Sequence, residues 1–446
     1  MDGTGMKTVA FYTLGCKVNQ YESEAMEEAF LDRGYQPVGK DEGADVFVIN
    51  TCTVTHVADA KCRQAIRRAK RKNPNALVAV VGCYVQVAPE TVRAIEGVDV
   101  LIGTKRRDRI VDAVEEVAAT GKKVEDLVDL NQVRTFDELG ISTELSTTRA
   151  AIKVQEGCEM YCSYCIIPYA RGHMASRDRE AILEEVRRLV AKGIKEYVLT
   201  GIHVASYGKE RPAEGPEDAE RPKDLIDLVE AVAAIPGVER IRLSSIEPRW
   251  VTPDKLQRLK ACRKFADHFH LSLQSGSDKI LEAMNRKYDK ALYLEKIEEI
   301  RRVFPRAGLT TDVIVGFPGE TEEDFQETLA FVDEVGFSKI HIFPYSKREG
   351  TPAALFTDQV PSPIKKDRAV RLAERELALR HAFMDRMEGE EAQVLFEEGE
   401  DETMMEGYTG NYLRVRMERK ETWVNQIISG KIGKREGDFL YFEPNQ

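Results

Sequence analysis

Cys158, Cys162 and Cys165 stand within eight residues, spaced Cys-x3-Cys-x2-Cys in QEGCEMYCSYC. Three thiolates this close can wrap one soft metal centre, and thiolate is the ligand iron–sulfur clusters use. A cubane cluster has four irons, so three protein ligands leave one iron open to a small chelating molecule. Two readings compete: a zinc site with a fourth ligand such as His173, or unrelated buried cysteines. Structural zinc usually shows two Cys-x2-Cys units, and here Cys162 and Cys165 form only one. A second trio is dispersed: Cys16 (TLGC), Cys52 (NTC) and Cys83 (VVGC), 36 and 31 residues apart. Each interval is about one strand–helix–strand repeat of 30 or more residues. Cys62 and Cys262 fit neither set and read as structural.

The elements around these cysteines explain the spacing. Residues 1–119 alternate short apolar runs (8–13, 46–50, 77–81, 100–102) with helical patterns (21–33, 57–72, 89–94, 107–119), the signature of a parallel α/β sheet. Cys16, Cys52 and Cys83 each lie within three residues of a strand's C-terminal end. Those ends share one sheet edge, where open α/β sheets bind ligands, so the trio is expected to converge on a second cluster. Residues 120–150 read as a connection. From 151 to 345 six strand candidates (151–155, 197–200, 241–244, 269–273, 311–315, 340–343) alternate with helices, too few for a closed eight-strand barrel but enough for a partial (β/α)6 barrel. The first of them precedes Cys158 directly. Residues 209–222 read as a mobile polar insertion. From 392 onward five short β segments with glycine turns suggest a small closed β-barrel. The expected division is 6–119, a linker at 120–150, 151–375 and 381–446.

Composition sets outer limits. The chain has 446 residues, 42% hydrophobic and 32% charged, with net charge −11. An acidic total argues against nonspecific duplex DNA as partner. No apolar run approaches the roughly 18 residues of a membrane span, and the N-terminus lacks a secretory pattern, so a cytoplasmic protein with reduced cysteines is expected.

TLGCKVNQYESE, GCEMYCSYCIIPYARG, HLSLQSGSDKILEAMNRKY, DVIVGFPGETEEDF and FPYSKREGTPAA together resemble the methylthiotransferases of the radical S-adenosylmethionine (SAM) superfamily. The resemblance spans nearly the whole chain. Lys17-Val18-Asn19 after Cys16 is most similar to the subgroup acting on threonylcarbamoyladenosine in tRNA. Relatives acting on isopentenyladenosine tRNA or on a ribosomal protein differ there. Glu159 and the stretch His173-Met174-Ala175 depart from the family pattern.

The resemblance implies two [4Fe-4S] clusters and SAM as cofactors, with Cys158, Cys162 and Cys165 holding the catalytic cluster that cleaves SAM to a deoxyadenosyl radical. That radical would take hydrogen from carbon 2 of the modified adenosine at tRNA position 37, while the cluster on Cys16, Cys52 and Cys83 holds the sulfur to be inserted and a second SAM gives methyl. Tyr164, Thr200, Gly201, Ser245, Glu247, Gln274 and Asp312 are the candidate SAM contacts. The implied partners are the tRNA anticodon stem-loop and an electron donor such as flavodoxin or ferredoxin. A noncatalytic RNA-binding protein holding zinc is the alternative of another class.

The last segment resembles a TRAM domain, a small RNA-binding β-barrel. Its net charge of −7 over 381–446 is awkward for RNA, but between 414 and 435 seven basic residues, Arg414, Arg416, Lys431 and Lys434 among them, meet only Glu418 and Glu421. Tyr408, Tyr412 and Trp423 are candidates to stack on unpaired bases. A second basic run puts Arg67, Arg68 and Arg71 on one helix face.

Overall fold

Runs such as TVAFYT and VFVINT are too short to be helices and apolar enough to be buried on both faces, which suits central strands of a parallel sheet. The computed structural model describes residues 7–53, 56–140, 148–210, 224–399 and 401–445. The stretch read as a mobile insertion lies outside the described residues from 211 to 222, as do 141–147 of the expected connection.

The first unit is a six-stranded, all-parallel sheet in the order β2-β1-β3-β4-β5-β6. Its strands are β1 (Thr8–Thr13), β2 (Gln36–Pro37), β3 (Val46–Thr51), β4 (Leu77–Gly82), β5 (Val100–Ile102) and β6 (Val124–Asp126). β6 falls within the segment expected to be connection; its three residues are too few to show a period. Helices cover both faces, Phe47, Ile49 and Val80 packing against one layer and Val48, Ala79 and Val81 against the other.

The central unit keeps six parallel strands: β7 (Arg149–Glu156), β9 (Glu196–Gly201), β10 (Arg240–Leu243), β11 (His268–His270), β12 (Gly308–Val315) and β13 (Lys339–Pro344), with the two-residue β8 (Ala175–Ser176) antiparallel at the β7 edge. Hydrogen bonding divides them into β10-β9-β7-β8 and β11-β12-β13. Isolated bridges at Ile241–Phe265 and Ile246–Leu271 span the seam, so the wall is a partial barrel. Helix starts follow their side chains: Asp178 accepts from the Ala181 amide, and Asp224 and Thr321 each complete a reciprocal capping box.

The last unit is a closed five-stranded barrel, β14 (Glu391–Glu397), β15 (Met404–Thr409), β16 (Arg414–Glu418), β17 (Ile427–Glu436) and β18 (Phe439–Pro444), ordered β14-β15-β16-β18-β17. The helix Ser362–Arg386 joins it to the central unit. Leu372 of that helix packs in the central core, and Phe383 and Met384 pack in the small barrel's core. Among the described residues no helix is long and apolar enough to cross a membrane.

Candidate active site between two cysteine trios

β1, β3 and β4 are neighbours in the first sheet, and the chain leaves all three at the same edge carrying a cysteine. Cys16 caps the helix Lys17–Asp32, Cys52 follows β3, and Cys83 opens the short helix Cys83–Val87. The turns are tight. Gly15 sits at φ +116°, and a Cβ there would lie 2.8 Å from the Cys52 Cβ and 3.1 Å from its Sγ, so only glycine lets the two loops approach. Two asparagines lace the edge together. Asn19 Nδ2 donates to the carbonyls of Leu14 (3.0 Å) and Thr51 (2.8 Å), and Asn50 Nδ2 donates to the Asn19 carbonyl (2.8 Å). Sequence spacing finds the cysteines but not these asparagines, whose partners lie about thirty residues away.

Cys158, Cys162 and Cys165 occupy the loop between β7 and the helix Ile167–Arg171. The loop is pinned at its base. Cys158 N–H donates to the Gly172 carbonyl (3.1 Å), Cys165 N–H to the Cys162 carbonyl (2.9 Å), and Ser163 Oγ to the Ala283 carbonyl (2.7 Å). Gly157 has φ +74°, and a Cβ there would come 1.8 Å from the His173 carbonyl oxygen. Arg286 donates from an Nη to Cys162 Sγ (3.2 Å) and from Nε to the Tyr288 hydroxyl (3.0 Å).

Burial pushes the thiols of Cys83 and Cys165 up to about 12 and that of Cys158 up to about 11. Such thiols keep their protons until a metal displaces them. Cys16 and Cys52 are near enough to Cys83 to interact with its thiol, as Cys158 and Cys162 are with Cys165, and an all-sulfur donor set is the kind an iron–sulfur cluster takes.

Hydrogen bonds tie the loops that carry the two trios to each other. Arg171, on the radical-loop side, donates from Nε to Cys83 Sγ (3.1 Å). Thr104 Oγ1 donates to the Ala170 carbonyl (2.7 Å), and Arg348, in the loop after β13, hydrogen-bonds Thr53 next to Cys52. Beneath them lies a dry ionic lattice. Glu22 meets Arg107 at 2.6 Å, Lys153 at 2.8 Å and Arg171 at 2.5 Å, while Glu156 pairs with Lys153 and Arg171, and all five side chains are fully buried. Arg107 makes ion-pair contact without reaching hydrogen-bond alignment. Burial alone would raise the Glu22 carboxyl, but Arg107, Arg171 and Lys153 hold it far below the usual carboxylate range. The same contest leaves Glu156 at about 2, with Lys153 and Arg171 opposing its burial.

The polar residues expected around SAM fall in several settings. Thr200 and Gly201 end β9, where a Cβ on Gly201 would sit 2.9 Å from Gln155 Cβ. Gln155 braces this corner, its Oε1 accepting the His203 N–H (2.7 Å) and its Nε2 donating to the Gly157 carbonyl (2.9 Å). Ser245 and Glu247 follow β10, Ser245 exposed and Glu247 buried with Arg249 Nε at 2.6 Å. Gln274 has φ +72° and bridges to Val313. Asp312 lies inside β12, its Oδ2 3.2 Å from His270 Nε2. Tyr164 packs beside Ile280, Met284, Phe317 and Tyr345.

Of the three aromatic residues expected to stack on bases, Trp423 stays half-buried beside the small barrel's core with Lys420 over its ring, while Tyr408 and Tyr412 are otherwise engaged. Tyr412 stacks on His268 (4.8 Å between ring centres) with Arg242 4.7 Å away, and Tyr408 lies 4.9 Å from the Arg149 guanidinium. They seat the small barrel on the central unit, where Arg240 and Arg242 donate to the carbonyls of Gln393 and Thr409. Two aromatics near basic residues carry the same sequence signal whether they face RNA or a neighbouring domain. Arg414 and Arg416 share Glu406 and lie over the Phe439 ring. Lys431 and Lys434 are exposed on β17, and Arg67 and Arg71 on the helix His56–Lys72, where Arg68 pairs with Asp41.

Two family models match: "Radical SAM superfamily" over residues 152–332 and "Uncharacterized protein family UPF0004" over 8–103. The threonylcarbamoyladenosine tRNA methylthiotransferase MtaB of Bacillus subtilis is 41% identical over 98% of this chain and 97% of its own length. The tRNA-2-methylthio-N(6)-dimethylallyladenosine synthase of Natranaerobius thermophilus is 35% identical over 99% and 97%. Among solved structures, the radical S-adenosylmethionine methyltransferase TsrM of Kitasatospora setae shares the fold, with TM-score 0.55, 14% identity, and coverage of 79% of this chain and 77% of its own.

Proposed function

Because the chain belongs to the tRNA methylthiotransferase family of radical SAM enzymes, a transferase of sulfur-containing groups with SAM and iron–sulfur clusters as cofactors, we propose that it converts N6-threonylcarbamoyladenosine at tRNA position 37 to its 2-methylthio derivative. One observation carries the reading: the loops that bear the two thiol trios are tied to each other, Arg171 to Cys83 and Arg348 to Thr53. C–H activation and sulfur delivery are distinct chemistries that must meet at one carbon atom, and that arrangement gives them a common floor.

In this reading Cys158, Cys162 and Cys165 hold the cluster that leaves an iron for SAM, and Cys16, Cys52 and Cys83 hold the auxiliary one. When bound, these groups supply the carbon radical, the sulfur and the methyl. The protein contributes placement and dryness. Gln155 fixes the corner between β7 and the loop after β9, Arg286 steadies Cys162, and the fully buried ionic lattice fastens the two units together. Residues 6–119 carry the auxiliary centre, 151–375 the radical centre, and 381–446 with the helix bearing Arg67 and Arg71 grip the anticodon stem-loop. A small cytoplasmic flavodoxin or ferredoxin supplies the electron.

Support for the threonylcarbamoyl substrate over the dimethylallyl one is the higher identity to the Bacillus subtilis relative, 41% against 35%, together with Lys17-Val18-Asn19 after Cys16. Mass spectrometry of tRNA nucleosides tests it in a strain lacking the chain's counterpart. Restoration of methylthio-threonylcarbamoyladenosine on re-expression is expected. Restoration of the dimethylallyl derivative instead would overturn the substrate assignment.

A further inference from the structure

Arg171 is 1% exposed, and each of its five N–H groups has one partner. Nε donates to Cys83 Sγ (3.1 Å); one Nη donates to Glu22 Oε1 (2.5 Å) and Glu156 Oε1 (3.2 Å); the other donates to Asn19 Oδ1 (3.0 Å) and Glu22 Oε2 (3.1 Å). A guanidinium is cationic at any pH the protein meets, and its planar fork makes these five directions inseparable. Three bonds to the helix Lys17–Asp32 and one to Glu156 of β7 therefore fix the fifth, which points at sulfur.

Its position in the chain gives that bond a second meaning. Arg171 closes the helix that follows Cys165, and the next residue, Gly172, accepts the Cys158 amide hydrogen (3.1 Å). A path of Cys158, Gly172, Arg171 and Cys83 thus runs from one trio to the other through one hydrogen bond at each end. Arg286 gives Cys162 a similar guanidinium contact but stays within the central unit. Arg171 donates from the central unit to a thiol of the first unit.

We propose that Arg171 is a positioning residue for the auxiliary centre, donating an N–H to the Cys83 thiolate so as to raise that centre's reduction potential and hold it in register with the radical loop. The inference rests on the assignment of Cys16, Cys52 and Cys83 as cluster ligands. Its physical basis is that a reduced cluster carries one more negative charge on its sulfurs, and a buried donor stabilises that charge. Hydrogen bonds to the sulfurs are a principal determinant of cluster potential. Lysine keeps the charge but has no planar fork, so Arg171→Lys separates the directed bond from the bare cation.

The test uses the full chain carrying Cys158→Ala, Cys162→Ala and Cys165→Ala, reconstituted anaerobically with iron and sulfide so that only the auxiliary trio is loaded, about four irons per chain. Redox titration followed by electron paramagnetic resonance then compares this parent with versions also carrying Arg171→Lys or Arg171→Gln. The expected result is equal iron content with the midpoint potential shifted to lower values, more for Gln than for Lys. An unshifted potential in a loaded variant overturns the proposal. A measurement without substitution at 171 covers variants that fail to fold: in the parent labelled with 15N-arginine, the reduced cluster should show coupling to an arginine nitrogen. Absence of that coupling overturns it as well. A parent that loads no iron overturns the cluster assignment itself, and this proposal with it.

Discussion

Replacing Glu22 by glutamine is the sharpest probe of how the two cysteine-bearing units are held together. The carboxylate receives Arg107, Lys153 and Arg171 at 2.5–2.8 Å with no exposed surface. Glutamine keeps the volume but removes the charge, and its amide turns a donor toward groups that are themselves donors. Three buried cations are then left with Glu156 and Asp137. Removing one partner from a buried ion network costs about 3–5 kcal/mol, a large share of the roughly 5–15 kcal/mol that holds a domain folded. Urea denaturation of matched apo proteins at pH 7 should lower the first transition by that amount, whereas Glu116→Gln on an exposed helix position should stay within about 0.5 kcal/mol. Acidity supplies an internal control. Glu22 and Glu156 titrate below the ordinary carboxylate range when folded, so their contribution is complete above the unfolded value near 4.5 and fades as pH falls toward the folded values. The gap between wild type and Glu22→Gln should therefore narrow between about pH 4.5 and pH 2. A loss below about 1 kcal/mol at pH 7, or one just as large at pH 2.5, would refute the lattice as the fastening.

Other perturbations separate the remaining parts of the argument. Gly157→Ala would drive a Cβ to 1.8 Å from the His173 carbonyl oxygen, so reconstituted protein should lose the radical-loop cluster and bind about four irons instead of about eight; a full complement would contradict it. Tyr412→Ala removes the ring that meets His268, Arg149 and Arg242, costing about 3 kcal/mol. Limited proteolysis should then cut near Gly389 earlier than in wild type, and an unchanged digestion would show that the ring does not seat the small barrel. Arg67→Glu with Arg71→Glu should weaken tRNA binding and flatten its salt dependence by about one to two units of log K against log salt, without loss of iron. Unaltered affinity would remove this helix from the RNA interface.

Much of the site was legible because strand–helix repeats have a characteristic length. Cysteines about one repeat apart, each just past an apolar run, come out on the adjacent strands β1, β3 and β4. The five short segments after 392 likewise read directly as a barrel, since alternation and glycine turns are local signals. The strands that sequence reading passes over, β2, β6 and β8, are two or three residues long and show no period. The ionic lattice was invisible for a different reason. Glu22 is 131 residues from Lys153 and 149 from Arg171, and a charged residue looks the same in sequence whether it faces water or another charge. Tyr408 and Tyr412 show the same limit for aromatics.

The helix Ser362–Arg386 is embedded at Leu372 in one core and at Phe383 and Met384 in another, and Arg240 and Arg242 clamp the small barrel's backbone besides. The terminal module therefore has no free pivot. If it grips tRNA as proposed, the gripped segment would meet the thiol edge at a set separation, and the molecule would work as a ruler. A nucleotide would be chosen by how far it stands from the grip, which makes reach along the polymer, as much as the letter read there, the basis of selection.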